Sequence, residues 1–387
     1  MIDDYCHRSK DLYNYANYIT RQEFINNGKW LHYIDVWRLV KLSDPYKAMG
    51  SNVGAETLRM LDKSWKSFFK AIKDWKKNPS KYLGRPKLPK YKEKDGKYVL
   101  GIDNIKFSIQ DGFIRFSWKP LKSLNGRFKT KIPEGSKLMQ CRFIPRGASY
   151  VMEVTYEIEV PEQPTESKNI ASIDLGVNNF ATITNNIGLK PIAIKGGVVK
   201  SMNQYYNKQR ASIQSELKVK NNKSNSKRLM ELTAKRNRKV KHFMHVASKT
   251  VVDYCVKNNM DTLVCGYNQE WKQNCNIGKA TNQKFVAIPY EIFTNMLAYK
   301  CENVGVKFVL TEENHTSGTS FIDGEAPTKD NYDKSRRKKR GLFVSNNGYA
   351  INADVNGSYQ IMKKVFPNEL SNGVEGVGWH PLTTKIA

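Results

Sequence analysis

From residue 168 onward, short apolar stretches alternate with long amphipathic ones, and this alternation constrains the fold more than any other feature of the chain. Strand-like runs at 170–174, 180–185 and 191–195 precede a very basic helical pair over 201–218 and 223–258. A buried strand in DTLVCGY, an amphipathic helix over 289–304, a strand in VKFVLTE and a helix beginning near Asp354 complete the series. Short apolar runs bounded by turn residues predict strands, and apolar residues three and four apart predict helices. Three early strands followed by strands flanked by helices describe an α/β sheet.

The preceding 167 residues follow different rules. In ETLRMLDKSWKSFFKAIKDWKK, Leu58, Leu61, Trp65, Phe68, Ile72 and Trp75 fall on one helical face, while Lys63, Lys66, Lys70, Lys73, Lys76 and Lys77 occupy much of the rest. Trp65 and Trp75 share the apolar stripe and read as core. The segment NPSKYLGRPKLPKYKEKDGK breaks the helix and reads as a linker or basic loop. Next, KFSIQDGFIRFSW predicts a hairpin turning at Asp111-Gly112, and SYVMEVTYEIEV alternates apolar with polar residues, as a half-buried strand does. The chain therefore divides into a helical module over 1–95, a small β-rich, barrel-like module over 96–166 and an α/β domain over 167–387, an α+β multidomain architecture.

Charge narrows the partners. Lys and Arg number 64 against 36 Asp and Glu, a formal net charge of +28. A folded chain this basic suits a polyanion, because neutralising phosphates releases condensed counterions. Lys66, Lys70, Lys73 and Lys77 on the helix, Arg85, Lys87, Lys90 and Lys92 in the basic loop, and Arg336, Arg337, Lys338 and Arg340 in KSRRKKR are the candidate phosphate contacts. The chain holds no apolar window long enough to span a membrane, and a cytoplasmic, nucleoid-associated protein is expected. Six scattered cysteines read as reduced structural thiols, with no zinc site expected. His242 and His245 stand three apart on a basic helix, a spacing that suits a metal, but no third ligand is evident.

One carboxylate ends the first strand of the α/β domain: Asp174 in SIDLGVNN. Alone it is an ordinary strand-ending residue. An RNase H-like nuclease, however, gathers carboxylates from its first strand, a later strand and its last helix around two Mg²⁺ ions roughly 4 Å apart. Asp354 stands at the start of the last helix, where it is either a metal ligand or an N-cap, with Asn352 equally able to cap.

The segments SIDLGVNNFATITNN, LVCGYNQEWKQ, VLTEENHTSGTSF and INADVNGSYQI, in this order, resemble the RuvC-type nuclease of the TnpB (OrfB) family. Its members are transposon-encoded, RNA-guided DNA endonucleases related to the type V CRISPR effectors. The likeness extends to CHRSKDLYNYANYI, KNPSKYLGRPKLPKYK and NQYYNKQRASIQSEL. It implies a RuvC domain, a guide RNA from the element's own end, a short target-adjacent motif read on double-stranded DNA, and cleavage of the strand in an RNA–DNA heteroduplex. Two Mg²⁺ ions, with Mn²⁺ as a substitute, would be held by three carboxylates.

Three departures from the family pattern stand out. Relatives carry their middle carboxylate at the end of the strand matching DTLVCGY, where this chain has Gly266 and Tyr267. A subgroup with GYN and WKQ moves that residue to the end of the next strand, which makes Glu313 the expected ligand, Glu312 its alternative and Glu270 a more distant candidate. The segment 314–348 is a basic insertion without cysteines where many relatives hold a four-cysteine zinc ribbon. The N-terminus opens into a helix where relatives begin with a strand. The leading expectation is an RNA-guided, Mg²⁺-dependent endonuclease; a guided repressor without cleavage and a DNA-joining transposase are the alternatives.

Overall fold

A computed structural model describes residues 1–147, 149–268, 286–368 and 379–386, which form two compact units, Met1–Glu159 and Val160–Ala387.

In the first unit, α1 (Ile2–Asn27), α2 (Tyr33–Val40), α3 (Asp44–Met49) and α4 (Ser51–Lys77) share one core with an antiparallel sheet. That sheet is ordered β1 (Leu100–Asp103), β4 (Leu138–Arg146), β5 (Ser149–Tyr156). Leu12, Tyr13 and Ala16 of α1 meet Leu58, Leu61 and Trp65 of α4, all at most 2% exposed, and Leu100, Ile102, Cys141 and Phe143 join the same cluster. Beyond Trp65 the apolar stripe of α4 leaves this core, so Phe68, Ile72 and Trp75 are only half-buried. β2 (Phe107–Gln110) and β3 (Phe113–Phe116) form the expected hairpin, with Asp111 at φ 53° and Gly112 at φ 70°. Two successive left-handed residues are what a two-residue hairpin turn needs, and Asp-Gly supplies them. Because β2 and β3 pair with each other, the described strands make an open three-stranded sheet and a separate hairpin instead of a closed barrel.

The expected basic loop is held as a strap along α1. Asn14 and Lys92 exchange two hydrogen bonds, at 2.9 and 2.8 Å, and the Pro89 carbonyl accepts from Asn17 Nδ2 (3.0 Å) and Arg21 Nη1 (2.9 Å). Proline lacks an N–H and cannot enter a ladder, so these side chains satisfy the strap's backbone in place of a strand neighbour.

The second unit is built on a sheet ordered β10-β9-β6-β7-β8-β13. β6 (Ile170–Leu175), β7 (Asn179–Asn185) and β8 (Ile192–Lys195) form an antiparallel meander, β6 with β7 and β7 with β8. β9 (Thr262–Gly266) and β10 (Lys307–Thr311) extend the sheet in parallel from β6, and β13 (Leu382–Thr384) pairs in parallel with β8. α5 (Gly197–Asn221), α6 (Lys227–Lys257) and α7 (Tyr290–Glu302) follow the expected series, and α6 and α7 cover one face through Phe243, Val251, Phe293 and Leu297. α8 (Ala353–Val365) covers the other with Val355, Tyr359, Ile361 and Met362. This is the α+β, RNase H-like order expected from the sequence. β13 was not expected: three residues carry too little pattern to announce a strand. No helix among the described residues is long and apolar enough to cross a membrane.

Candidate active site

β6 brings Asp174 beneath α8. Side chains alternate along a strand, so Ile170, Ser172 and Asp174 share one face, and Ile170 lies in the α8 core. Ser172 Oγ donates to the Ser358 carbonyl (2.8 Å) and Ser358 Oγ returns a bond to the Ser172 carbonyl (3.0 Å). Only small side chains permit so close an approach. The preceding residue, Gly357, completes it, since a Cβ there would stand 3.3 Å from Asp174 Oδ2. A helical glycine costs about 1 kcal/mol relative to alanine; here its missing methyl leaves room for the carboxylate.

Asp354 lies on the first turn of α8. Asn352 is the cap, its Oδ1 accepting from the N–H groups of Asp354 (3.0 Å) and Val355 (3.2 Å). The Asp354 side chain is thereby free for other partners. It accepts from Asn179 Nδ2 (2.7 Å), and Lys195 Nζ donates to Asn179 Oδ1 (2.9 Å), while Arg337 Nη2 stands 3.7 Å from Asp354 Oδ1.

Glu312 and Glu313 follow directly on β10 and part company. Glu312 is exposed and its Oε2 accepts from Asn314 Nδ2 (3.0 Å). Glu313 is turned inward, with its N–H donating to Asn268 Oδ1 (2.8 Å), and its Oε1 is buried without a hydrogen-bond partner. Its carboxylate fills space left open by Gly266: a Cβ at that position would lie 2.6 Å from Glu313 Cγ and 2.8 Å from Oε1. Thus Glu313 sits where a side chain at the end of β9 would otherwise be. Glu270 lies outside the described residues.

Asp174, Glu313 and Asp354 line one cleft of about 520 Å³ with Lys195, Arg337 and Arg340. Burial pushes the Asp174 carboxyl well above its ordinary range, and the neighbouring charges of Glu313 and Asp354 push it further, against the opposing pull of Arg337. Burial likewise raises Glu313, to about 7, although a backbone hydrogen bond from Leu175 works the other way. Two crowded acidic groups and an orphaned oxygen make a place where a cation lowers the energy of all three carboxylates. Among the described residues no three acidic, His or Cys side chains already close on a single point, His242 and His245 included. Asp354 is held instead by Asn179 and Arg337. The oxygen donors nevertheless fit a hard divalent ion.

The candidate phosphate contacts separate by burial. Lys66, Lys70, Lys73, Lys77, Arg85, Lys87, Lys90, Arg337, Lys338 and Arg340 are exposed, with Lys66 paired to Asp62 at 2.7 Å. Two others are not exposed. Lys92 is half-buried, its ammonium 4.7 Å from the ring of Tyr13 and 4.8 Å from that of Tyr98. Arg336 is 7% exposed and its two terminal nitrogens are engaged inside the protein: they donate to Glu325 Oε1 (2.7 Å) and to the carbonyls of Gly318 (2.8 Å) and Asn331 (2.6 Å). A run of six basic residues does not reveal which one turns inward. Arg336 gathers the cysteine-free insertion around one guanidinium, next to β11 (Leu342–Val344) and β12 (Ala350–Asn352). Its replacement by methionine strands a mostly buried carboxylate, and a loss of about 3 kcal/mol of stability is expected in urea unfolding. The neighbouring exposed Arg337→Met should cost less than about 1 kcal/mol.

Asn179, Lys195, Asn268 and Gly357 line the cleft although the sequence did not single them out. A glycine inside an otherwise regular helix was the available signal for Gly357.

A family model described as a probable transposase, OrfB_IS605, matches residues 153–272, and one for the Cas12f1-like TNB domain matches residues 290–361. A TnpB-like protein, ORF457 of Acidianus two-tailed virus, is 22% identical over 92% of this chain and 81% of its own length. Among solved structures, a Cas12f1–sgRNA–target DNA complex aligns with a TM-score of 0.59 at 14% identity, over 93% of this chain and 81% of that one. The mini-RNA-guided endonuclease CRISPR-Cas_phi3 aligns at 0.50 and 11% identity, over 92% and 89%. Both share the fold. The two family models together span most of the α/β order above, and over those residues the chain is similar to the TnpB (OrfB) family.

Proposed function

We propose that this protein is an RNA-guided, Mg²⁺-dependent DNA endonuclease of the family subgroup whose middle carboxylate has moved to the neighbouring strand. The observation that carries the proposal is the arrival of Glu313 in the space beside Gly266, facing the same cleft as Asp174 and Asp354. In this reading residues 1–95 and 96–166 hold guide RNA and the target-adjacent duplex, and 167–387 hydrolyse DNA paired with the guide. Sequence is then read by base pairing, and the protein contacts backbone and shape.

Asp174, Glu313 and Asp354 are the residues that would hold the metal. When bound, two Mg²⁺ ions supply a clamp on the attacking and leaving oxygens of an in-line displacement. The chain's own residues do the rest. Lys195 orients Asn179, which orients Asp354, and the buried α8 contact fixes Asp174. Arg337 and Arg340, exposed on the cleft wall, receive the phosphodiester.

The test is plasmid cleavage by protein co-expressed with its flanking transcript, with Mg²⁺ and with EDTA, beside Asp174→Ala. Cutting that requires the metal and disappears in the variant is expected. Guided binding with an uncut plasmid would instead make the protein a repressor, and co-purification of random host RNA alone would remove the guide from the proposal.

A further inference from the structure

At the far end of α4 a second cavity of about 520 Å³ opens in the first unit, remote in sequence from the carboxylates. Its floor is aromatic: Phe24 of α1 and Phe68 and Phe69 of α4, with ring centroids 5.1 to 6.4 Å apart. Phe68 marks where the α4 stripe leaves the core, and all three rings are half-buried. Its rim is the strap, which contributes Arg85, Lys87 and Lys90, all exposed and, among the described residues, in no ion pair with a carboxylate. No acidic side chain lines the cavity.

The arrangement is pre-formed. Asn17 and Arg21 hold Pro89, and Asn14 holds Lys92, so the strap is fixed at a set distance above the phenylalanines. Phe69 is fixed in turn against Trp65 and Trp30, at centroid distances of 6.0 and 4.9 Å. A purely apolar ligand would leave three unpaired cations around it, and a simple anion would leave the aromatic floor unused. An unpaired nucleotide satisfies both, its base lying on a phenylalanine ring and its flanking phosphates on the rim.

We propose that this cavity is a stacking site for one unpaired nucleotide of a bound strand, RNA or DNA, with Phe68 or Phe69 as the platform and Arg85, Lys87 and Lys90 as phosphate contacts. The site rests on the reading of the protein as a nucleic-acid binder, not on its cleavage chemistry. Stacking on an aromatic ring is tolerant of base identity and contributes about tenfold or more in affinity per base.

The experiment uses the full chain with single-stranded U12 RNA, dT12 DNA and a blunt duplex of the same length. Anisotropy gives the affinities, and 5-iodouracil versions of the single strands are photo-cross-linked and mapped by mass spectrometry. Cross-links on the peptide carrying Phe68 and Phe69 are expected, with single strands bound at least about tenfold less tightly by Phe69→Leu. The preferred sugar in this assay tells an RNA site from a DNA site. Since Phe69 also packs on Trp65, Arg85→Ala with Lys87→Ala on the exposed strap provides a second variant, expected to reduce both affinity and cross-linking. Unchanged single-strand affinity in both variants, or cross-links elsewhere only, overturns the site even in a protein that cuts DNA. Cross-links at Phe68 or Phe69 in a protein that does not cut support it while removing the nuclease reading.

Discussion

Glu313→Ala is expected to lower guided DNA cleavage by about 10³-fold, and Glu312→Ala to leave it within about twofold. The two residues are adjacent, of the same type and both just past the end of β10, so composition and local sequence cannot separate them. Position does. Glu312 is in solvent and pairs with Asn314, whereas Glu313 is half-buried, bonded through its N–H to Asn268 and left with a buried, unpartnered oxygen. On the proposed reading Glu313 would hold a metal ion of the clamp on the reacting oxygens, and its loss would take away several kcal/mol of transition-state stabilisation, each 1.36 kcal/mol being a factor of ten. Guide-RNA retention and thermal stability serve as controls. Glu313→Ala should not unfold the protein, because it relieves a crowded acidic pair whose pKa values burial has raised. Equal cleavage by the two alanine variants would sink the assignment.

The α/β domain was legible because its elements are long and strongly patterned: the expected helical pair is α5 and α6, the strand in VKFVLTE is β10, and the helix near Asp354 begins at Ala353. Asp174 and Asp354 could be singled out because each stands at an element boundary, where side chains leave the core and face ligands. Which of Asp354 and Asn352 caps α8 was left open by the sequence; the structure has Asn352 as the cap, which frees Asp354. What stayed hidden depends on three-dimensional neighbours. Lys92 lies over two tyrosine rings and Arg336 is enclosed by carbonyls and Glu325, yet both stand in basic runs that look uniformly solvated. The same holds for the first unit, where helices and strands that read as separate modules bury their side chains in one common core.

Gly266 provides the sharpest test of how the cleft is built. A methyl added there would stand 2.5 Å from Ile361 Cδ1 and 2.6 Å from Glu313 Cγ, both inside normal contact distance. Alanine normally suits a strand better than glycine, which has no side chain to pack, so intrinsic propensity alone predicts that Gly266→Ala is harmless or mildly stabilising. The packing predicts the opposite for activity. Glu313 must swing away from Asp174, and cleavage should fall by about 10²-fold while the protein stays folded. A carboxylate can also be restored from the other strand. In Glu313→Ala the space beside β9 is vacant, so Gly266→Asp added to it should recover part of the lost rate, whereas Gly266→Asp alone forces two carboxylates into one volume and should be inactive. Rates for the four proteins, measured with the same guide and target, decide the matter as a double-mutant cycle. A double variant slower than Glu313→Ala, or full activity in Gly266→Ala, would show that the two strand ends do not compete for one site; recovery would show that the cleft requires a carboxylate at that point in space and is indifferent to which strand delivers it.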